Sequence, residues 1–267
     1  MLAIIGGTGR LPDLVAERIP DALRFAPHGT SYGAGTHAAE AFRFEQLGGL
    51  IERLRGQGVD RLVLVGGMRR PNLDPAAFDA FTRSAVAELA PVLGGGDDAL
   101  LRAVIGLFHR EGFDVAPVQE IMTDLLPPPG VATSAQPDER DAADAARGLS
   151  ILAALGPHDV GQACVVARGQ VLAIETLGGT DWMLGTLAGD VPGRPPGGPS
   201  GVLCKAPKPT QDRRVDLPAV GPSTVGAVAA ASLRGVVIEA GGVLGIDWAD
   251  CIARADAAGL FLWVRPA

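Results

Sequence analysis

The chain has 267 residues, 47% of them hydrophobic and 20% charged, with a mean hydropathy of +0.24. That apolar content is enough to offset the entropy of folding, which excludes a disordered chain, and the length admits one large domain or two. With 23 basic against 30 acidic residues, a net charge of −7, the chain lacks the basicity of a nucleic-acid-binding surface.

Leu2–Gly6 reads as a short apolar strand that breaks into Gly6-Gly7-Thr8-Gly9, with a helix expected from Pro12 to Arg18. Ala22–Ala26 is a second strand candidate. Leu47, Leu50, Ile51 and Leu54 give Gln46–Gly56 a helical period. Arg61–Val65 predicts a buried strand ending at Gly66-Gly67. Helical patterns return over Phe78–Ala90 and Ala99–Glu111, the second entered from Gly94-Gly95-Gly96-Asp97-Asp98, and Phe113–Val118 predicts a further strand. This alternation implies a Rossmann-like parallel sheet with helices on its faces.

Pro127-Pro128-Pro129-Gly130 is the clearest break in the chain. It divides the α/β fold into an N-terminal domain over 1–127 and a C-terminal mixed α/β domain over 131–267. In the second half a helix is expected over Asp138–Leu155. Strands are expected at Ala163–Ala167, Val171–Glu175, Gly201–Cys204 and Val236–Glu239, then a helix over Trp248–Ala258 and a strand over Leu260–Val264. The proline- and glycine-rich stretch from Gly189 to Gly201 is a loop on composition, either a mobile flap or a surface excursion.

Apolar runs such as Ala163–Ala167 are strand-sized, far short of the ~20 residues of a membrane-spanning helix. Met1 leads into Leu-Ala-Ile-Ile without a basic stretch, so no secretory signal is expected and the cytoplasm is the expected compartment. Three separated cysteines and four scattered histidines show no metal-ligand spacing.

Gly6, Gly7 and Thr8 follow the first strand, where backbone N–H groups can face a phosphate or sugar; a tight turn without a ligand is the other reading. A dinucleotide fingerprint fails there, because Pro12 stands where a third glycine is required and no acidic residue ends the second strand. Arg70 lies beyond the next buried strand, at the end where parallel sheets gather ligands, and either pairs with an anion or is solvated. Asp97 and Asp98 offer one helix N-cap and one carboxylate free to face a cleft.

Only two of the 23 basic residues are lysines, Lys205 and Lys208. They open a stretch of 12 residues that also holds Gln211, Asp212, Arg213, Arg214 and Asp216, punctuated by prolines. Clustered cations neutralise phosphate charge while a carboxylate holds a divalent metal or orients a water. Thr180 and Asp181 follow the Glu175 strand in a second polar turn. A Walker A sequence and a GxSxG elbow are both absent.

Together these segments resemble the LpxI family of UDP-2,3-diacylglucosamine pyrophosphatases. The resemblance rests on Ile5-Gly6-Gly7 with Leu11-Pro12, on Gly67-Met-Arg-Arg70-Pro71, and on Gly96-Asp97-Asp98-Ala-Leu-Leu-Arg102. It continues through Asp159-Val-Gly161-Gln162, Gly179-Thr180-Asp181, Lys205-Ala-Pro-Lys208-Pro, Arg214-Val-Asp216-Leu-Pro218 and Glu239-Ala-Gly241. Thr8 departs from it, where the family commonly has a third glycine.

The resemblance implies a cytoplasmic enzyme of lipid A assembly in Gram-negative bacteria, with the lipid substrate held between two α/β domains. It implies Mg²⁺ or Mn²⁺, water attack on the sugar-side phosphorus, and release of UMP and 2,3-diacylglucosamine 1-phosphate. Asp216 falls on the carboxylate most tied to catalysis and is the expected metal ligand; Thr180 falls on a substrate contact. The remaining expected substrate contacts are Gly6, Gly7, Thr8, Arg70, Asp98, Asp181, Lys205, Lys208 and Gln211. Peripheral contact with the inner membrane and a homo-oligomer are compatible with this reading. Two other functions stay open: a nucleotide-sugar or lipid-binding protein without catalysis, and a cofactor-using nucleotide-sugar enzyme.

Overall fold

The computed structural model describes residues 1–68, 71–93, 97–189, 191, 198–209, 211, 213 and 217–266, without the side chains of 92, 93, 97 and 98. It divides into two compact units, Met1–Thr123 and Asp124–Ala267.

The first unit runs β1 (Leu2–Gly6), α1 (Arg10–Arg18), β2 (Leu23–Pro27), β3 (Glu40–Phe42), α2 (Leu47–Gly56), β4 (Arg61–Val65), α3 (Ala80–Leu93), α4 (Asp97–Arg110), β5 (Asp114–Val115) and α5 (Val118–Ile121). Its five strands are parallel in the order β3-β2-β1-β4-β5, the Rossmann-type arrangement the alternation implies. Consecutive residues Ala3, Ile4 and Ile5 are all buried, as are Leu62 and Val63, so both faces of the sheet are covered. The expected strand over Phe113–Val118 shortens to Asp114–Val115, because Pro117 has no N–H for the ladder and caps α5 instead. The edge strand β3, polar at Glu40, gave no alternating signal in the sequence.

The second unit comprises β6 (Gly130–Val131), α6 (Glu139–Leu155), β7 (Ala163–Ala167), β8 (Gln170–Ile174), α7 (Gly179–Thr186), β9 (Val202–Lys205), β10 (Ala219–Val220), α8 (Pro222–Ala230), β11 (Gly235–Glu239), β12 (Leu244–Gly245), α9 (Trp248–Ala258) and β13 (Phe261–Arg265). Six strands form a mixed sheet in the order β6-β13-β11-β9-β7-β8, and β10 pairs with β12 in a separate parallel ribbon. Side chains alternate across the large sheet. Val165, Leu203, Val236, Ile238 and Leu262 pack against α7, α8 and α9, while Cys164, Val166, Cys204 and Val237 pack against α6.

Helix α6 begins at a capping box in which Asp138 accepts from the Asp141 backbone N–H and Asp141 accepts from that of Asp138. One turn on, the buried Asp144 accepts the N–H groups of Arg168 and Gly169 at 2.7 and 2.6 Å. These two residues, at φ 51° and 75°, form the tight turn between β7 and β8. The helix thereby fixes the hairpin whose far end carries Glu175. Two helices that the sequence does not predict, α7 and α8, begin at Gly178-Gly179 and Gly221-Pro222; Pro222 at the first turn of α8 fits its fixed φ to a helix start. No described helix is long and apolar enough to cross a membrane.

Candidate functional site

In the first unit the glycine turn after β1 meets the turn after β4. The Gly7 N–H donates to Val65 O at 2.8 Å, the Thr8 N–H to Gly67 O at 2.9 Å and the Gly9 N–H to Gly33 O at 3.2 Å. The N–H groups that the sequence offers to an anion are therefore engaged by backbone carbonyls. Thr8 is exposed and its hydroxyl donates to Gly67 O at 3.2 Å, whereas Gly6 and Gly7 are buried.

Asp13, fully buried on α1, holds the neighbouring loop by accepting the Ala34 N–H at 2.7 Å and meeting His37 Nδ1 at 3.0 Å. Burial pushes its pKa up, but the Ala34 N–H, His37 and Thr36 together outweigh burial and hold the carboxyl below its ordinary range. At the carboxyl ends of β2 and β3 lies a cavity of about 370 Å³ lined by His28, Phe42, Arg43, Gln46 and Arg53 among others. Arg70, the side chain of Asp98 and Asp216 lie outside the described residues.

The densest polar arrangement is in the second unit. β8 and β9 both run antiparallel to β7, and β11 runs parallel to β9. The carboxyl ends of β8, β9 and β11 and the start of β7 therefore share one edge of the sheet. Glu175, Lys205, Glu239 and Gln162 all stand on that edge, where ligands gather in open α/β sheets.

Lys205 ends β9 and is only 8% exposed. Its Nζ donates to Thr180 Oγ1 at 2.9 Å and to Ala219 O at 2.9 Å, a carbonyl set in place by the β10–β12 ribbon. Thr180, in the first turn of α7, donates to Glu175 Oε1 at 3.1 Å, and Glu175 Oε2 accepts the Gln162 N–H at 3.1 Å. Burial pushes the Lys205 pKa down, and the Glu175 and Asp181 carboxylates push it back in part.

Lys208 lies in the loop after β9, and its ammonium forms an ion pair with Asp159, a residue held in the left-handed region at φ 54°. Gln211 braces that loop. Its side-chain oxygen accepts the Lys208 N–H at 2.9 Å and its own N–H donates to Lys208 O at 3.1 Å. Arg213 pairs with Glu239 at 3.0 Å.

Of the expected contacts, Thr180 and Lys205 thus touch directly, Asp181 is exposed beside them, and Lys208 and Gln211 share the next loop. The sequence assigns no site role to Glu175, Asp159 or the Ala219 carbonyl, although Asp159 opens one of the segments that carry the resemblance. The available signal for Glu175 was a carboxylate closing an otherwise apolar strand beside a Gly-Thr-Asp turn. Large apolar side chains flank this turn, Leu177 fully exposed and Trp182 60% exposed.

Among the described residues no group of three or more His, Cys, Asp or Glu could hold a metal ion. Glu175, Asp159 and Glu239 are each engaged by a cation or hydrogen-bond donors. Carboxylates engaged in this way do not make an open site for Mg²⁺, which takes one or two free protein carboxylates and completes its shell with phosphate and water.

Comparison with known proteins gives a match on each unit. A model of the LpxI N-terminal domain matches residues 1–125, and a model of the LpxI C-terminal domain matches residues 128–263. The UDP-2,3-diacylglucosamine pyrophosphatase LpxI of Caulobacter vibrioides is 38% identical over 220 residues, 81% of this chain and 78% of the relative. Both units match in order, and the identity runs through both, so this chain belongs to the LpxI family.

Proposed function

We propose that this chain hydrolyses the pyrophosphate bond of UDP-2,3-diacylglucosamine, releasing UMP and 2,3-diacylglucosamine 1-phosphate for lipid A assembly in the cytoplasm of a Gram-negative cell. The observation that carries the reading is the identity to a pyrophosphatase acting on that substrate. The buried lysine at the carboxyl edge of the second sheet supports it, because pyrophosphate cleavage gathers negative charge on the phosphoryl and leaving oxygens, where a positioned cation is most effective.

Lys205 and Lys208 face the phosphates, and Asp216 orients the attacking water or holds Mg²⁺ or Mn²⁺ together with the pyrophosphate. The ion would supply further neutralisation of the phosphoryl oxygens. Water attacks the sugar-side phosphorus. Its oxygen joins that phosphorus, the bond to the bridging oxygen breaks, and the bridging oxygen leaves with UMP. Thr8, Arg70, Asp98 and Asp181 contribute substrate contacts, and the exposed Leu177 and Trp182 offer apolar surface to a diacyl substrate at the inner membrane.

The test is UMP release from UDP-2,3-diacylglucosamine with Mg²⁺ and then with EDTA, for the wild type and Asp216→Ala, with a parallel reaction in H₂¹⁸O. Metal-dependent release, absent in a folded Asp216→Ala and leaving the label on 2,3-diacylglucosamine 1-phosphate, is the expected result. Tight binding of the lipid nucleotide without UMP release would overturn the reading in favour of a binding protein.

A further inference from the structure

The chain Lys205–Thr180–Glu175 has a fixed direction. An ammonium only donates and a carboxylate only accepts, so the Thr180 hydroxyl must accept from Lys205 and donate to Glu175. Its one proton is thus committed, and Thr180 has none to offer a phosphate oxygen, which needs a donor. The Lys205 ammonium has three N–H groups; among the described residues Thr180 and Ala219 take two, and one remains. Lys208 differs, since it touches its carboxylate Asp159 directly.

We propose that Glu175 is a positioning residue of this site: acting through the Thr180 hydroxyl, it aims the Lys205 ammonium and supplies its counter-charge without touching it. This rests on the reading above, in which Lys205 serves the pyrophosphate. An intervening hydroxyl leaves the cation less neutralised than a direct ion pair. Gln162 holds the second oxygen of Glu175, so the carboxylate cannot swing over to form that direct pair without breaking a hydrogen bond. Asp181 on α7 is the other carboxylate acting on Lys205. The strand partners of Lys205 are the apolar Ala163 on β7 and Ile238 on β11, and Glu239 beyond Ile238 is paired with Arg213. A buried ammonium needs such a counter-charge to stay protonated.

The two-lysine composition makes the test direct. Protein carrying ¹³Cε-lysine gives two signals, and Lys208→Arg identifies that of Lys205. In Glu175→Gln the Lys205 titration midpoint should fall by about 1–3 units, and the basic limb of the kcat/KM profile for UMP release should move with it. Thr180→Val should lower kcat by about tenfold, the scale of one lost charge-assisted hydrogen bond, while Thr180→Ser, which keeps the hydroxyl, should retain the wild-type midpoint. A folded Glu175→Gln with an unmoved midpoint overturns the proposal. If that variant does not fold, Thr180→Val with wild-type kcat does so. The titration needs no substrate: a shifted midpoint in a protein that never releases UMP upholds the Glu175–Lys205 coupling and overturns the hydrolase reading alone.

Discussion

Gly7 and Gly67 approach so closely that a Cβ on Gly7 would stand 2.1 Å from the Gly67 carbonyl oxygen. The turns after β1 and β4 are locked across the point where the strand order reverses, and only a residue without a side chain fits. Gly7→Ala must drive these turns apart at about 1–3 kcal/mol. Gly49→Ala on α2 meets nothing within 4 Å and should stabilise by roughly 0.5–1 kcal/mol. The lone tyrosine, Tyr32, lies in the first unit and all three tryptophans in the second, so urea unfolding followed by tyrosine absorbance reads the first unit. A wild-type midpoint for Gly7→Ala would show that the turns are not locked.

Asp13 gives the first unit an acid-sensitive anchor. Its folded pKa lies below the unfolded value of about 3.9. The native state therefore binds fewer protons, and the stabilisation is whole above the unfolded pKa and lost as pH falls through the folded one. Asp13→Asn keeps an acceptor for the Ala34 N–H but loses the charge, at about 1–3 kcal/mol near pH 7. The gap between wild type and variant should close as pH drops below about 4. Tyrosine-detected urea midpoints from neutral to acid pH measure it, and a gap that widens in acid contradicts the assignment.

What could be read from the sequence follows what has a local physical signature. β1, β4, β7 and β11 announce themselves because buried strands are runs of apolar residues, and α2 by the period of Leu47, Leu50, Ile51 and Leu54. The helices α7 and α8 begin at Gly178-Gly179 and Gly221-Pro222, where glycine and proline also mark loops, and only packing against the sheet tells the two apart. Lys205 and Lys208 stand out because lysine is missing from the rest of the chain. Glu175 is a single carboxylate whose meaning comes from Thr180, five residues on at the start of α7, and from Lys205, brought near by strand order. At the Gly6-Gly7 turn the N–H groups look free in sequence, but Gly33, Val65 and Gly67 reach them through tertiary contacts.

Asp144 should set the stability of the β7–β8 hairpin. Its carboxylate takes two turn N–H groups from a helix more than 20 positions earlier in the chain, at |i−j| of 24 and 25. Both turn residues are exposed, so water can replace the carboxylate, and Asp144→Ala should cost about 1–2 kcal/mol, below the sum for two charge-assisted bonds. Tryptophan fluorescence during urea unfolding reports on the second unit, and an Asp144→Ala midpoint equal to wild type would mean that the hairpin holds its own turn.

The two lysines should be unequal. Lys205 is buried, has neutral partners at both bonded N–H groups and carries its counter-charge one hydroxyl away, whereas the charge of Lys208 is opposed by Asp159 in contact. A preorganised, desolvated cation loses more when removed than one already paired at a wetter position. Lys205→Met, which keeps the unbranched stem, should lower kcat by about 10²–10³. Lys208→Met should act within about tenfold, since it removes a cation and frees Asp159 at once. Steady-state UMP release by both variants, with folding checked by tryptophan fluorescence, decides the order. Near-normal kcat in Lys205→Met would move the phosphate-binding role to the loop that carries Lys208.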